Sequence, residues 1–204
     1  MIDTGYLFSN EPDRLFVNTS LGCTANCAYC YLPTLNYSKG KVLDTYITAE
    51  ELIKQVESYK GYKSGKNGTL ISFGCYSECW DETNKPQTIK LIDYFLKKGN
   101  QVQFSTKRFV DYRDLIEIGN NIKYYGQLTI FVSSATISAW DKFEKGTTEP
   151  LQRFKSFEIN KELNIPVILY IKPVLLDITI KDINKYIEVI KKYNIKDVVV
   201  GSII

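Results

Sequence analysis

Three thiols fall close together between Gly22 and Pro33: Cys23, Cys27 and Cys30, in the spacing C-x3-C-x2-C. Thiolates are soft ligands that suit zinc, copper(I) and iron–sulfur clusters. Three neighbouring thiolates can hold three irons of a cubane [4Fe–4S] cluster and leave the fourth iron open. A structural zinc site wants a fourth Cys or His. The chain has no His, and its other cysteines are Cys75 and Cys79, so zinc stays open with weaker support. The plain alternative is three small apolar thiols buried in a loop.

The absence of His removes Ser-His-Asp and Cys-His catalysis, His-metal sites and the usual near-neutral acid–base. Thiolates, carboxylates, Lys, Tyr or a cofactor must do any chemistry. The net charge of +3, from 26 basic and 23 acidic residues, is too mild to argue for nucleic acid by itself. No apolar run approaches the roughly 20 residues of a membrane span. The start, Met1-Ile2-Asp3-Thr4-Gly5, lacks the basic and apolar regions of a secretion signal. With an odd count of cysteines, this predicts a cytoplasmic protein with reduced thiols.

The elements that must position the thiols alternate. Residues 1–14 are polar and read as a loose lead-in. Leu15 to Thr19 reads as a strand that feeds the cysteine loop, which runs on through residues 34–46. Thr48-Ala49-Glu50-Glu51 is a capping box, opening a helix with Leu52, Ile53, Val56 and Tyr59 on one side and Gly61 and Gly65 at or after its end. Strands follow at Thr69–Phe73, Gln101–Ser105, Gln127–Ser133, Pro166–Ile171 and Asp197–Gly201. Between them, Asn84-Lys85-Pro86 starts a helix capped by Gly99, and Tyr112 to Ile118 is a short one. Thr148-Glu149-Pro150 starts one running to Leu163. Thr179 to Asp182 caps the last, with Ile183, Ile187 and Ile190 at helical spacing.

Strand then helix, five times and then a strand, predicts one α/β domain over residues 1–204 with a parallel sheet and right-handed crossovers. A doubly wound sheet and a partial barrel both fit. No sixth helix follows, so one side of the last strand is expected to be bare, or covered by a partner or a second copy. In α/β folds sites gather at the C-terminal strand ends. The polar residues expected there are Cys75, Ser77 and Glu78; Ser105, Thr106 and Lys107; Ser133 and Ser134; Lys172; and Ser202. Cys79 is read first as a buried thiol, with disulfide exchange with Cys75 or an extra cluster ligand as alternatives. Two runs mix aromatic and basic residues: Tyr59, Lys60, Tyr62, Lys63 and Lys66, and Lys123, Tyr124 and Tyr125. They are open to single-strand nucleic-acid stacking or to solvated helix ends.

The cysteine spacing, with Tyr29 just before the last thiol, resembles the signature of the radical S-adenosylmethionine (radical SAM) enzymes. The resemblance implies a [4Fe–4S] cluster on Cys23, Cys27 and Cys30 and S-adenosylmethionine (AdoMet) on the open iron. It implies reductive cleavage of AdoMet to a 5′-deoxyadenosyl radical that takes hydrogen from a substrate. It places Tyr29 near the adenine, calls for a reductant such as a flavodoxin or ferredoxin, and favours a six-stranded partial (β/α)6 barrel of TIM type, here without its final helix. Lys107 and Ser133 would then give the AdoMet carboxylate and ribose a cation and a hydroxyl.

One departure stands out. Many radical SAM proteins carry Gly-Gly-Glu after the second strand, where this chain has Phe73-Gly74-Cys75-Tyr76-Ser77-Glu78. That stretch, Phe104-Ser105-Thr106-Lys107, Phe131-Val132-Ser133, and Phe143 to Thr148 with Arg153 resemble the spore photoproduct lyase family, which repairs a thymine dimer in DNA. This resemblance covers roughly residues 15–175. It implies Cys75 as a hydrogen-atom donor, Tyr29 and Tyr31 as a radical relay, and Ser77, Lys107, Ser133, Glu144 and Arg153 in the AdoMet site. The segments that help grip DNA in that family are not expected among these residues. Modification of a peptide, tRNA or small metabolite, and a non-catalytic iron–sulfur or zinc module, therefore stay open.

Overall fold

The structure, a computed structural model, describes residues 1–41 and 46–201; the expected strand-end residue Ser202 lies outside the described residues. Strands β1 (Ile2–Asp3), β2 (Leu7–Glu11), β3 (Arg14–Val17), β5 (Leu70–Phe73), β6 (Val102–Thr106), β7 (Leu128–Ser133), β9 (Val167–Ile171) and β10 (Val198–Val200) form one sheet in that order. Strands β4 (Asn26–Cys27) and β8 (Glu144–Lys145) form a separate antiparallel pair. From β3 to β10 every pairing in the main sheet is parallel. The alternation of strand and helix thus gives the parallel α/β sheet expected of it. The sheet is nevertheless mixed and larger than six strands. The supposed lead-in forms β1 and β2, paired antiparallel to each other and onto β3. The turn from β2 into β3 is Pro12-Asp13, a good turn pair, but β1 and β2 are short and bury few side chains, so their alternation is faint in the sequence.

The helices are α1 (Ala49–Ser58), α2 (Lys85–Lys98), α3 (Ile116–Gly119), α4 (Trp140–Phe143), α5 (Pro150–Arg153), α6 (Glu158–Leu163) and α7 (Ile183–Tyr193). The capping box of α1 forms as expected: the Glu51 N–H donates to the Thr48 hydroxyl at 3.2 Å, and the Thr48 N–H to the Glu51 carboxylate at 3.1 Å. Gly99 closes α2 at φ 90°, a left-handed position where Gly carries no Cβ penalty. The helix expected over 148–163 is instead α5, a 3-10 turn at Phe154–Phe157, and α6. Phe154, Ser156 and Phe157 are all buried, a wider burial than one α-helical stripe provides.

Side-chain alternation divides the sheet into two jobs. Leu15, Val17, Ile71, Phe73, Val102, Phe104, Ile130, Val132, Leu169 and Ile171 face the helices and join one buried core with Leu52, Val56, Leu91, Ile92 and Phe95. The opposite face, with Phe16, Ser72, Gln103, Phe131, Tyr170 and Val199, lines a cavity. All helices that contribute to this core thus pack on one face, leaving the other for a ligand. On α7 the buried residues are Tyr186 and Val189, while Ile183 and Ile187 are exposed. Asp182 does not cap α7 with its side chain. It accepts from the Thr136 hydroxyl at 2.7 Å and from the Ile137 and Ser138 N–H groups at 2.7 and 3.0 Å, tying α7 to the loop after β7. Strand β10 ends the parallel sequence with Val200 63% exposed. Among the described residues no helix is long and apolar enough to cross a membrane.

Candidate active site

The cysteine loop leaves the C-terminal end of β3 and is pinned from three sides. The Gly22 N–H donates to the Tyr76 carbonyl at 3.0 Å, joining it to the loop after β5. Gly40 N–H reaches the Cys23 and Ala25 carbonyls at 2.9 Å, and Lys39 Nζ the Cys27 carbonyl at 2.6 Å. Pairing of β4 with β8 sets Cys27 opposite Glu144, and the Ala28 N–H donates to the Phe143 carbonyl at 2.9 Å. The Thr24 hydroxyl adds a bond of 2.8 Å to Asp81 and receives one of 3.1 Å from Arg108. These anchors fix the loop backbone while all three thiols stay free of disulfides.

Cys23, Cys27 and Cys30 line one cavity of about 750 Å³, within the range of small-molecule sites. Burial pushes the Cys23 thiol up to about 12, helped by the Glu78 charge. It also raises Cys27, against the pull of Lys107. In the free protein both are thiols near neutral pH, so metal binding must release their protons. Among the described residues no three Cys, Asp or Glu side chains gather tightly enough to grip a single ion.

Beyond the thiols, the cavity is walled by residues just past the strands. Cys75 is partly exposed there; the Tyr31 hydroxyl donates to the Cys75 carbonyl and lies 3.9 Å from its sulfur. Burial raises the thiol of Cys75, opposed by the Tyr31 hydrogen bond and the Arg14 charge. Gly74 precedes it at φ 90°, and a Cβ there would lie 2.7 Å from the Ser105 carbonyl, so the strand end requires Gly. Ser77 lines the cavity, and its buried Oγ has no hydrogen-bond partner. A buried unpaired hydroxyl is costly, and a ligand in the cavity would relieve it. Glu78 is held from within: the Thr106 hydroxyl, the Lys107 N–H at 2.9 Å and the Trp80 N–H at 3.1 Å donate to it.

Lys107 and Ser133 meet across the ends of β6 and β7, with Nζ donating to Oγ at 2.7 Å. Both face the cavity. Behind them sits an ion pair that the cavity does not touch. Glu144 and Arg153 are both 0% exposed, with NH1 to Oε2 at 2.9 Å. Arg153 also donates to the Ser133 carbonyl, to the Thr147 hydroxyl at 2.8 Å and to the Thr148 carbonyl at 2.6 Å. Glu144 takes bonds from the Ala135 N–H at 3.0 Å and the Tyr29 hydroxyl, and lies 3.8 Å from Lys107 Nζ. Burial would push the Glu144 carboxyl up; Lys107 and Arg153 outweigh it and hold the group below its ordinary value. Burial raises the Tyr29 hydroxyl, with the Glu144 charge adding to it, so it stays a phenol and a donor.

Of the residues expected at the site, the three cluster cysteines, Tyr29, Tyr31, Cys75, Ser77, Lys107 and Ser133 converge on this cavity. Glu144 and Arg153 do not line it; they act from behind, through Tyr29, Lys107 and the Ser133 backbone. Cys79 is buried in the core, its thiol 3.7 Å from the Ser105 carbonyl, and it does not line the cavity. The aromatic and basic runs lie before the strands, at the end opposite the cysteine loop. There Tyr62 bonds Asn100 at 3.0 Å, and Lys66 Nζ sits 4.6 Å above the Tyr124 ring. Several functional residues left no local signal in the sequence. Lys39 bonds the cysteine loop from its own far end, Asp81 and Arg108 bond it from distant elements, and Arg14, Ser72 and Gln103 line the cavity as ordinary strand positions.

Fold and site together define an α/β protein that gathers three thiols over a ligand-sized cavity at the C-terminal ends of parallel strands. Residues 17–190 match the Radical SAM superfamily, and the chain belongs to that superfamily. No curated protein matches the sequence. Among solved structures, a spore photoproduct lyase variant with bound AdoMet and dinucleoside spore photoproduct is similar, with a TM-score of 0.60 and 15% identity. The match covers 88% of this chain and 51% of the lyase. SuiB of Streptococcus suis bound to S-adenosylmethionine is similar at a TM-score of 0.64 and 17% identity, over 94% of this chain and 40% of SuiB. SuiB bound to its precursor peptide SuiA gives 0.65 and 17%, over 94% and 39%. The chain spans about half the length of the lyase and about two fifths of SuiB. At these identities the likeness is one of fold.

Proposed function

We propose that the chain is a radical SAM enzyme that holds a [4Fe–4S] cluster on Cys23, Cys27 and Cys30 and AdoMet in the adjoining cavity. The observation that carries this reading is the convergence of three thiols, in C-x3-C-x2-C spacing, on one cavity at the strand ends. Three close-spaced thiolates in a chain without His suit a cluster with one open iron better than a structural zinc site, which wants a fourth Cys or His. When bound, cluster and AdoMet supply a 5′-deoxyadenosyl radical that takes a hydrogen atom from the substrate.

The protein's own residues bind and orient. Lys107 Nζ and Ser133 Oγ offer a cation and a hydroxyl to the AdoMet carboxylate and ribose. Ser77 Oγ, unpartnered and facing the cavity, offers a further polar contact. Tyr29, its hydroxyl held on Glu144, presents its ring beside the adenine. Glu144 and Arg153 are positioning residues here, since neither reaches the cavity. The parallel strands β3 to β10 are read as the wall of a six-stranded partial barrel, and a flavodoxin or ferredoxin as the electron source. Anaerobic reconstitution should load about four irons and one AdoMet per chain, read by metal analysis and equilibrium dialysis. Zinc in place of iron, with no AdoMet retained, would defeat the reading in favour of a binding module.

For the substrate, the contact of Tyr31 with Cys75 at the cavity wall favours a lyase-like role with Cys75 as hydrogen donor. With dinucleoside spore photoproduct as the probe, Cys75→Ala should keep its iron and its 5′-deoxyadenosine output. Its products should shift from the repaired dinucleotide to adducts of the unquenched radical. Unchanged product identity by mass spectrometry would remove Cys75 from the donor role; turnover of a peptide but not of the lesion would move the chain to peptide modification.

A further inference from the structure

We infer that Arg14 is the anchor for an anionic group on the substrate, a phosphate or a carboxylate, bound at the floor of the cavity. The inference rests on the reading of this cavity as the active site and adds the class of molecule it accepts.

Arg14 opens β3, and its side chain runs along the sheet toward the mouth. Strand register explains what it meets. Phe16 pairs with Ser72 across β3 and β5, and Ser72 pairs with Gln103 across β5 and β6, so the three form one row on the cavity face. The Arg14 guanidinium stacks on Phe16, 4.2 Å from the ring centroid, and its Nε donates to Ser72 Oγ at 2.9 Å. Gln103 Nε2 donates to the same oxygen at 3.0 Å. One hydroxyl oxygen thus accepts two donors, and none of these partners carries a negative charge.

Among the described residues Arg14 has no ion-pair partner, although it lines the cavity. Arg14 is half-buried and faces the cavity with a cation–π contact but no counter-charge. Glu78 is the one acidic residue in the lining; it accepts from the Thr106 hydroxyl and from the Lys107 and Trp80 N–H groups and makes no ion pair with Arg14. The cavity therefore holds Arg14, Lys107 and Lys172 against a single carboxylate. Lys107 is engaged with Ser133 and Glu144 at the strand ends. Arg14 stands apart, with its terminal nitrogens uncommitted, in a fork geometry that matches carboxylate or phosphate oxygens.

Position gives the anchor its use. The guanidinium sits over Phe16, one residue before Val17 at the end of β3. A substrate held there by its anion would extend from Phe16 toward Cys75 and the cysteine loop. The anion would set the depth, and the apolar Phe16 and Phe131 would hold the body between. Arg14 is then a specificity-determining residue that touches substrate and not the cluster.

The test uses the anaerobically reconstituted full chain with inorganic phosphate and with acetate as separate probes, read by thermal shift and titration calorimetry. The wild type should bind at least one of them, and the one bound tighter names the anion class. Arg14→Gln should weaken that binding roughly tenfold or more, while Arg14→Lys keeps part of it. Lys54→Gln, on the outer helix α1, should bind as the wild type does. No binding by the wild type, or equal binding by Arg14→Gln, would overturn the inference. Iron content and 5′-deoxyadenosine yield, measured on the same preparations, report on the cluster reading separately.

Discussion

Cys27→Ala should strip the chain of its cluster and, with it, of all AdoMet cleavage. Cys27 is the buried member of the three thiols, and its backbone is paired to Glu144 through β4 and β8. The nearest spare thiols belong to Cys75, on the cavity wall, and to Cys79, which the core holds away from the cavity. Losing one of three ligands leaves two thiolates, too few to retain a cubane with one iron already open. Iron should fall from about four per chain to near background, the brown absorbance should vanish, and 5′-deoxyadenosine should drop by at least 100-fold. Because Ala fits the site, the apo variant should melt close to the wild-type apo protein. A variant that keeps four irons would show that Cys27 is not a ligand.

Arg153→Met should be the most destabilising single change outside the core. It leaves Glu144 charged at 0% exposure without its hydrogen-bonded cation, Lys107 remaining at 3.8 Å, and breaking one side of a buried pair costs about 3–5 kcal/mol. In a chain of this size that lowers the melting midpoint by roughly 6–20 °C. The pair Arg153→Met with Glu144→Gln should recover part of the loss, because no charge is then stranded. The pH dependence has a definite sign. The Glu144 carboxyl is held below its ordinary 4.5 in the folded chain. Its contribution is present above that value and lost as pH falls through the folded one. Arg153→Met should therefore move acid unfolding to higher pH. A melting midpoint within 2 °C of the wild type would mean the pair holds nothing in place.

These two expectations separate what the sequence made legible from what it hid. Cys23, Cys27 and Cys30 announce themselves by spacing, and the capping box at Thr48 and the stop at Gly99 by local chemistry. The parallel order of strands followed from alternation alone. Glu144 and Arg153 were legible only as members of a resemblance, which put them against the cofactor. Their place behind Tyr29 and Lys107 depends on tertiary contacts, such as that of Glu144 with Tyr29, 115 positions away, which no local pattern encodes. Strands β1 and β2 were missed because two short, mostly polar segments gain their order from pairing to β3, not from their own periodicity. On α7, apolar residues lie on more than one side, so spacing alone could not tell the buried Tyr186 and Val189 from the exposed Ile183 and Ile187. Arg14 gave no signal at all, since a charged residue opening a strand is ordinary until its cavity is seen.

The central claim is that this cavity cleaves AdoMet, and the direct measurement is 5′-deoxyadenosine formed by the reconstituted wild-type chain under dithionite, without oxygen. The account predicts release of 5′-deoxyadenosine and methionine in equal amounts, dependent on iron and on reductant. A preparation with four irons and bound AdoMet that yields neither product under strong reduction would contradict it.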